Sequence, residues 1–267
     1  MNLQQPIATR LKRGFNHQNT NETVPSKQPV LPVVSKMGEY ISCSYRGNLI
    51  LARAQFELSV PYENSPKTGK FAIFFQVSQL SNALLQVWKP RTSDKTLGRI
   101  LARGLRQCLN LENLIFSDDL VGSLVLDMQV YKRGADSLDI AYLLGHLAIE
   151  KCLLDFNALD YSNFFESQDD FEKFKKTMLK YQIIRSHMTT AYTLGKKVCI
   201  KPTITETASV SDPFSFTFDE HGFLISAVKH YQGHGLTVSQ VKQMYELCQS
   251  NASESMHLLN HMRQQLQ

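Results

Sequence analysis

Phosphate-cradling glycine loops, metal-spaced cysteines and long apolar runs are all missing from this chain of 267 residues. The longest apolar stretches, 71–77 and 138–149, are broken by Gln76, Asp139 and His146. Neither approaches the roughly 20 apolar residues of a membrane-spanning helix. Residues 1–32 lack the apolar centre of a secretory signal, although Arg10, Lys12 and Arg13 in an acid-poor start leave an organellar transit peptide open. The five cysteines, Cys43, Cys108, Cys152, Cys199 and Cys248, are odd in number and stand far apart. Such spacing offers neither a zinc site nor a disulfide framework, so the chain reads as a reduced intracellular protein with no metal and no cofactor. A G-x-S-x-G elbow, a P-loop and a dinucleotide fingerprint are absent too. Charge of one sign is scarcely in excess, with 29 Lys and Arg against 24 Asp and Glu. That balance permits a polyanionic partner without requiring one.

What is present is core-forming residue in quantity: 43% of the chain is hydrophobic, with 15 phenylalanines, enough for a well-filled interior. Residues 1–29, rich in Asn, Gln, Thr and Pro, show no period and read as a mobile arm. From Val30 the texture changes to short β-branched and aromatic runs at Val30–Val34, Glu39–Tyr45, Asn48–Leu58 and Lys70–Val77, with Gly47 at a hairpin turn. A helix follows over 94–110, with Asp94 as its expected N-cap and Leu97, Ile100, Leu101, Leu105, Cys108 and Leu109 as its buried seam. Leu124–Tyr131 reads as a strand and Ser137–Leu153 as a second helix. Residues 154–185, charged with interspersed aromatics, read as a helical connector. Strands are then expected at Lys197–Lys201, Phe214–Asp219 and Phe223–Tyr231, with a long helix capped by Thr237 running to about Met262. The sequence thus predicts an α+β protein: a first half over 30–153, the connector over 154–185 and a second half over 186–267.

Candidate chemistry is sparse. Asp118-Asp119 and Asp169-Asp170 read as solvated surface, and Asp136 and Asp139 as carboxylates favoured by the start of the second helix. His230 and His234 are four apart, but glycines surround the second, so exposed imidazoles in a turn are the better reading than a metal pair. Asp212 and Glu206 are the only acids placed for a catalytic test. The basic signal is sharper. Arg99, Arg103 and Arg106 stand at i, i+4 and i+7 and project from one side of the 94–110 helix, with Lys89, Arg91 and Lys95 just before it. Guanidinium forks fit phosphate geometry, whereas the plain alternative is a solvated face or arginines paired with a neighbouring subunit.

The stretch 97–106 (LGRILARGLR) resembles the first helix of RNase PH-type subunits of the RNA exosome, and is nearest the class that forms the ring without an active site of its own. The resemblance continues in order through 109–116 (LNLENLIF), Leu124–Val130, 134–141 (GADSLDIA), Lys201-Pro202-Thr203 with Glu206, and 214–235. It covers about 30–150 and 190–262. It implies an RNase PH-like fold of two β-α halves with helices on mixed β-sheets, forming a single domain over 30–267. It also implies a non-catalytic ring subunit serving 3'-to-5' RNA processing, rRNA included, and degradation. Its implied partners are other RNase PH-like subunits in a hetero-hexameric ring, RNA-binding cap subunits, a separate ribonuclease and single-stranded RNA. The implied location is nucleus, nucleolus included, and cytoplasm. Arg99, Arg103, Arg106 and Arg91 are the RNA-binding candidates.

The chain departs from active relatives in two places. Where they carry a G-G-T-R-like phosphate turn it has Gly134-Ala135-Asp136-Ser137, and in place of their acid pair and later Asp it has Glu206-Thr207 and Pro213 beside Asp212. Without these, phosphorolysis loses positioning and proton transfer. An active phosphate-dependent 3'-5' exoribonuclease using Asp212 or Glu206, and an unrelated α+β interaction module, are the competing readings.

Overall fold

The structure is a computed structural model that describes residues 31–65, 67–78, 92–117, 119–134, 136–157, 168–181, 183–202, 210–230 and 235–266. Two sheets share one central helix. The first sheet holds β1 (Val33–Met37), β2 (Tyr40–Tyr45), β3 (Asn48–Ser59), β4 (Lys70–Val77), β5 (Ile115–Ser117) and β6 (Leu120–Lys132). Its order is β1-β2-β3-β6-β4, with β5 also against β6. All its pairs are antiparallel except β4 with β6. The second sheet has the order β10-β9-β7-β8, built from β7 (Ser186–Leu194), β8 (Lys197–Ile200), β9 (Ser211–Asp219) and β10 (Leu224–Lys229).

Helix α1 (Thr92–Cys108) precedes β5, and α2 (Ser137–Asn157) follows β6. Helix α2 packs on β3 of the first sheet and on β7 of the second. Residues 136–149 of this segment are buried without interruption. A helix apolar on every side belongs inside a fold, and α2 joins the two sheets into one core. Helix α3 (Gln168–Lys180) supplies Phe174 and Met178 to that core. The second sheet's other face is covered by α4 (Val238–Ser250). The alternation of β9 sorts the two faces: Phe214, Phe216 and Phe218 stack toward Met244, Tyr245 and Cys248, while Ser215 and Thr217 face the opposite way. Among the described residues no helix is long and apolar enough to cross a membrane.

Several expected boundaries move. The first strand begins at Val33 rather than Val30, and α1 begins at Thr92, so Asp94 lies inside the helix and is not its N-cap. The long closing helix is two helices, because α4 stops and α5 (Ala252–Gln264) starts at Asn251. Asn251 is held there by its side chain, which accepts from Lys201 Nζ (2.9 Å) and donates to Ser255 Oγ (2.9 Å). Lys201 also meets Glu254 at 2.8 Å. Lys201 is therefore the clamp on the α4–α5 corner. The expected capping of α4 by Thr237 is present as a reciprocal box with Gln240.

Candidate nucleic-acid interface

Helix α1 is split cleanly by its periodicity. Ile100, Leu101, Leu105 and Cys108 are buried, whereas Arg99, Arg103 and Arg106 are exposed. Among the described residues none of these three arginines makes an ion pair or a side-chain hydrogen bond. Arg103 and Arg106 also border an open cleft of about 460 Å³ that Thr68, Gln107, Asn110 and Glu112 help to line. Arg91, the fourth arginine singled out in the sequence, and Lys89 lie outside the described residues.

Glycine sets the depth of α1. A Cβ on Gly104 would come within 2.8 Å of Met188 Cε, 3.0 Å of Tyr142 Cε2 and 3.2 Å of Thr217 Oγ1. The helix thus rests against α2, β7 and β9 at this one turn. One turn later Cys108, Tyr142 and Ser186 form a closed triangle, with Cys108 Sγ to Tyr142 Oη at 3.1 Å, Tyr142 Oη to Ser186 Oγ at 2.7 Å and Ser186 Oγ to Cys108 Sγ at 3.0 Å. The arginine row is consequently mounted on a helix fixed from its inner side.

The acids near the start of α2 are engaged inside the protein. Asp136, 5% exposed, accepts from Asn48 Nδ2 (2.8 Å) and pairs with Arg46 (3.2 Å). Asn48 in turn accepts the Gly134 amide (2.7 Å) and donates to Tyr45 O (3.1 Å). A Cβ on Gly134 would lie 2.7 Å from Arg46 O, so only glycine lets this segment close on the β2–β3 hairpin. Asn48→Ala would strand three buried partners and is expected to cost about 2–3 kcal/mol, readable as a lowered urea midpoint with unchanged slope.

Asp139 begins a buried relay. It accepts from Thr190 Oγ1 (2.7 Å) and the Thr190 amide (3.2 Å). Thr190 Oγ1 lies 2.7 Å from Ser215 Oγ, which lies 2.7 Å from His230 Nε2. Each hydroxyl has one proton, so Thr190 donates to Asp139, Ser215 to Thr190, and neutral His230 donates from Nε2. Burial raises the Asp139 carboxyl to about 7, against the hydrogen bonds from Thr190. Burial, with Arg133 nearby, lowers His230 to about 4.

His230 is therefore a core residue and not the exposed turn imidazole expected from the sequence, while His234 lies outside the described residues. Among the described residues no group of three His, Cys, Asp or Glu side chains is arranged to hold a metal. Asp212 is 7% exposed, its Oδ2 accepting from Ser211 Oγ (3.1 Å) and Thr193 Oγ1 (3.4 Å), its Oδ1 without a partner. Glu206, the other acid singled out, lies outside the described residues. The relay was missed because its hinge, Thr190, lies in β7, a strand that apolar alternation does not reveal.

No family model matches the chain. Its fold matches solved exosome structures. An Archaeoglobus fulgidus exosome with RNA bound to the active site aligns with a TM-score of 0.63 at 16% identity, covering 85% of each chain. An archaeal exosome core gives 0.61 at 14%, covering 86% of this chain and 85% of the other. Rice (Oryza sativa) Rrp46 gives 0.59 at 11%, covering 88% and 93%. The fold is thus the RNase PH-like α+β fold of exosome subunits, as the resemblance implied.

In sequence the chain is similar to two plant exosome components. The chain is 25% identical over 219 residues to exosome complex component RRP45A of Arabidopsis thaliana, covering 79% of this chain and 70% of the relative. To RRP45B of the same plant it is 24% identical over 212 residues, 76% of this chain but only 47% of the relative, so it spans about half of that protein's length.

Proposed function

We propose that this chain is a non-catalytic structural subunit of the RNA exosome ring, supporting 3'-to-5' RNA processing and degradation. The observation that carries the reading is the row of exposed arginines, Arg99, Arg103 and Arg106, unpaired among the described residues and fixed to an RNase PH-like body. Planar forks free of protein acids suit phosphate oxygens and make backbone contacts without choosing bases. Arg91 is an auxiliary contact just before the helix. The described acids argue against chemistry here. Asp136 is consumed by Arg46 and Asn48 and Asp139 by Thr190, while one oxygen of Asp212 is held by Ser211 and Thr193.

In this reading residues 30–267 form one RNase PH-like domain after the N-terminal segment 1–29, and other RNase PH-like subunits complete a hetero-hexameric ring. RNA-binding caps sit on that ring, a separate ribonuclease does the cutting, and the complex works in nucleus and cytoplasm. The test uses the reconstituted ring and single-stranded RNA. Replacing Arg99, Arg103 and Arg106 together by alanine should weaken binding by tenfold or more at low salt and reduce the log–log salt slope by about 2, since each single-strand phosphate contact contributes roughly 0.7. An unchanged slope would remove the arginines from the RNA path. Incubating the purified chain with RNA and inorganic phosphate should release no nucleoside diphosphate; release would favour the exoribonuclease reading.

A further inference from the structure

The first sheet has an open strand edge inside a groove. Pairing of β2 with β3 ends at Ile41 opposite Ala52, yet β3 continues to Ser59. Among the described residues no strand pairs with Arg53–Ser59 on that side, which leaves an edge of about 23 Å at the usual strand rise. Helix α2 runs alongside, and the space between is a groove of about 390 Å³ walled by Ala54, Phe56, Ala148, Cys152 and Phe156. The thiol of Cys152 takes a hydrogen bond from the Phe56 backbone, a weak substitute for a strand carbonyl.

The charge along the groove is graded: lysines gather toward one end, where Glu39 is already taken by Arg53, and acids toward the other, where Asp155 lies one helical turn from Lys151 and attracts it. At the Ala52 end, Lys151 of α2 comes within hydrogen-bonding range of Lys36, whose own strand partner is Ile41. Two ammonium groups facing one another call for an anion. At the far end Phe156 meets Phe56 with ring centroids 4.3 Å apart, placing Asp155 and Glu57 there. Neither acid is in a salt bridge among the described residues. A strand antiparallel to β3 would run along this edge in the direction of β2, entering at the Ser59 end and leaving toward Ala52.

We propose that this edge binds an extended segment of another polypeptide, added antiparallel to β3, with basic residues at its N-terminal side against Glu57 and Asp155 and acidic residues at its C-terminal side against Lys36 and Lys151. Strand addition supplies backbone bonds for affinity, and the end charges select direction. The exposed edge is short and partly walled by a helix, so it is protected from indiscriminate pairing.

The probe is a fluorescent peptide with lysine first, glutamate last and alternating valine and threonine between, titrated into the full chain by anisotropy. Saturable binding is expected, and a peptide with the two charges exchanged should bind about fivefold more weakly, as two partly exposed ion pairs allow. N-methylation of alternate amides should abolish binding in one phase and spare it in the other, because only every second residue faces the partner strand. The Glu57→Lys, Asp155→Lys double variant, with unchanged Tm, should bind the two peptides about equally, because both ends of the groove are then basic and each peptide meets one matched and one opposed charge. Equal binding of both charge orders by the unaltered chain, indifference to both methylation phases, or no saturation would overturn the proposal. A concentration-dependent dimer in sedimentation that the peptide dissolves would overturn it also, by assigning the edge to a second copy. None of these readouts involves RNA or the ring, so they stand or fall apart from the arginine assignment.

Discussion

Replacing Gly104 by valine is expected to destabilise the protein by about 3 kcal/mol, among the larger effects that one added side chain can have in a packed interior. The cause is local. A first carbon at this position meets Met188 Cε at 2.8 Å, Tyr142 Cε2 at 3.0 Å and Thr217 Oγ1 at 3.2 Å. Methionine's end can swing aside, but Tyr142 is fully buried and tied by its hydroxyl to Cys108 and Ser186, and Thr217 belongs to the central part of β9. Gly104→Ala adds only the first carbon. Its gain in helix propensity, roughly 0.8–1 kcal/mol, should offset much of the contact with Met188, leaving a change near zero. Valine's two further carbons have no such relief. Urea unfolding of the three proteins decides the matter: midpoints close together for glycine and alanine and far lower for valine are expected, and a neutral valine would show that α1 does not sit this deep. The same substitution should weaken RNA binding in the ring more than its stability loss accounts for, because Gly104 lies one residue after Arg103 and two before Arg106. Raising α1 from its seat shifts every guanidinium mounted on it.

That helix was legible because its chemistry is written at a single period. Leu97, Ile100, Leu101, Leu105 and Cys108 on one side and arginines on the other leave one way to place it, and its start and its end were each placed two residues late. β9 was equally plain, with phenylalanine at every second place from Phe214 to Phe218. Its neighbour β7 was not. Ser186, His187, Thr189, Thr190 and Thr193 give that strand the composition of a surface loop, yet all five are buried. Three of them are satisfied by residues remote in sequence, Ser186 by Tyr142, Thr190 by Asp139 and Thr193 by Ser211, while among the described residues the His187 ring and the Thr189 hydroxyl have no partner. Apolar periodicity reports burial that is achieved by hydrophobicity, and it is blind to burial achieved through hydrogen bonds. For the same reason Asp139 read as a carboxylate serving the helix dipole, when it is a fully enclosed acid whose partner is Thr190. The break at Asn251 was hidden differently. Nothing in 238–262 forbids one continuous helix, and the turn is held by Lys201 from 50 residues away.

Four buried groups should give the stability of the chain an acid dependence whose parts oppose one another. His187, fully buried, stacks on Phe218 with neither ring nitrogen hydrogen-bonded, and burial lowers it to about 4 despite Asp219 nearby. His230 is likewise at about 4. Between about pH 6.5 and 4 the unfolded chain protonates both while the folded chain does not, so stability falls as the pH falls, by about 3 kcal/mol for each histidine. His146, lowered by burial as well, adds in the same direction. Asp139 does the reverse. Raised to about 7, it holds a proton in the folded state that the unfolded chain loses above about pH 4, so it contributes about 4 kcal/mol as the pH falls from 7 to 4. The two histidines win, and the wild-type chain should lose about 2 kcal/mol over that interval, a fall in Tm of roughly 5–8 °C for a domain of this size. Asp139→Asn removes the opposing contribution. Measured against wild type by thermal unfolding from pH 4 to pH 8, the variant should gain about 4 kcal/mol in relative stability as the pH rises, with the change spread between about pH 4 and 7 and level above the Asp139 midpoint. His187→Phe should flatten the acid limb and leave that rise in place. A wild-type minus Asp139→Asn difference that stays constant with pH would mean that Asp139 is ionised throughout, and that Thr190, Ser215 and His230 are anchored to a buried anion.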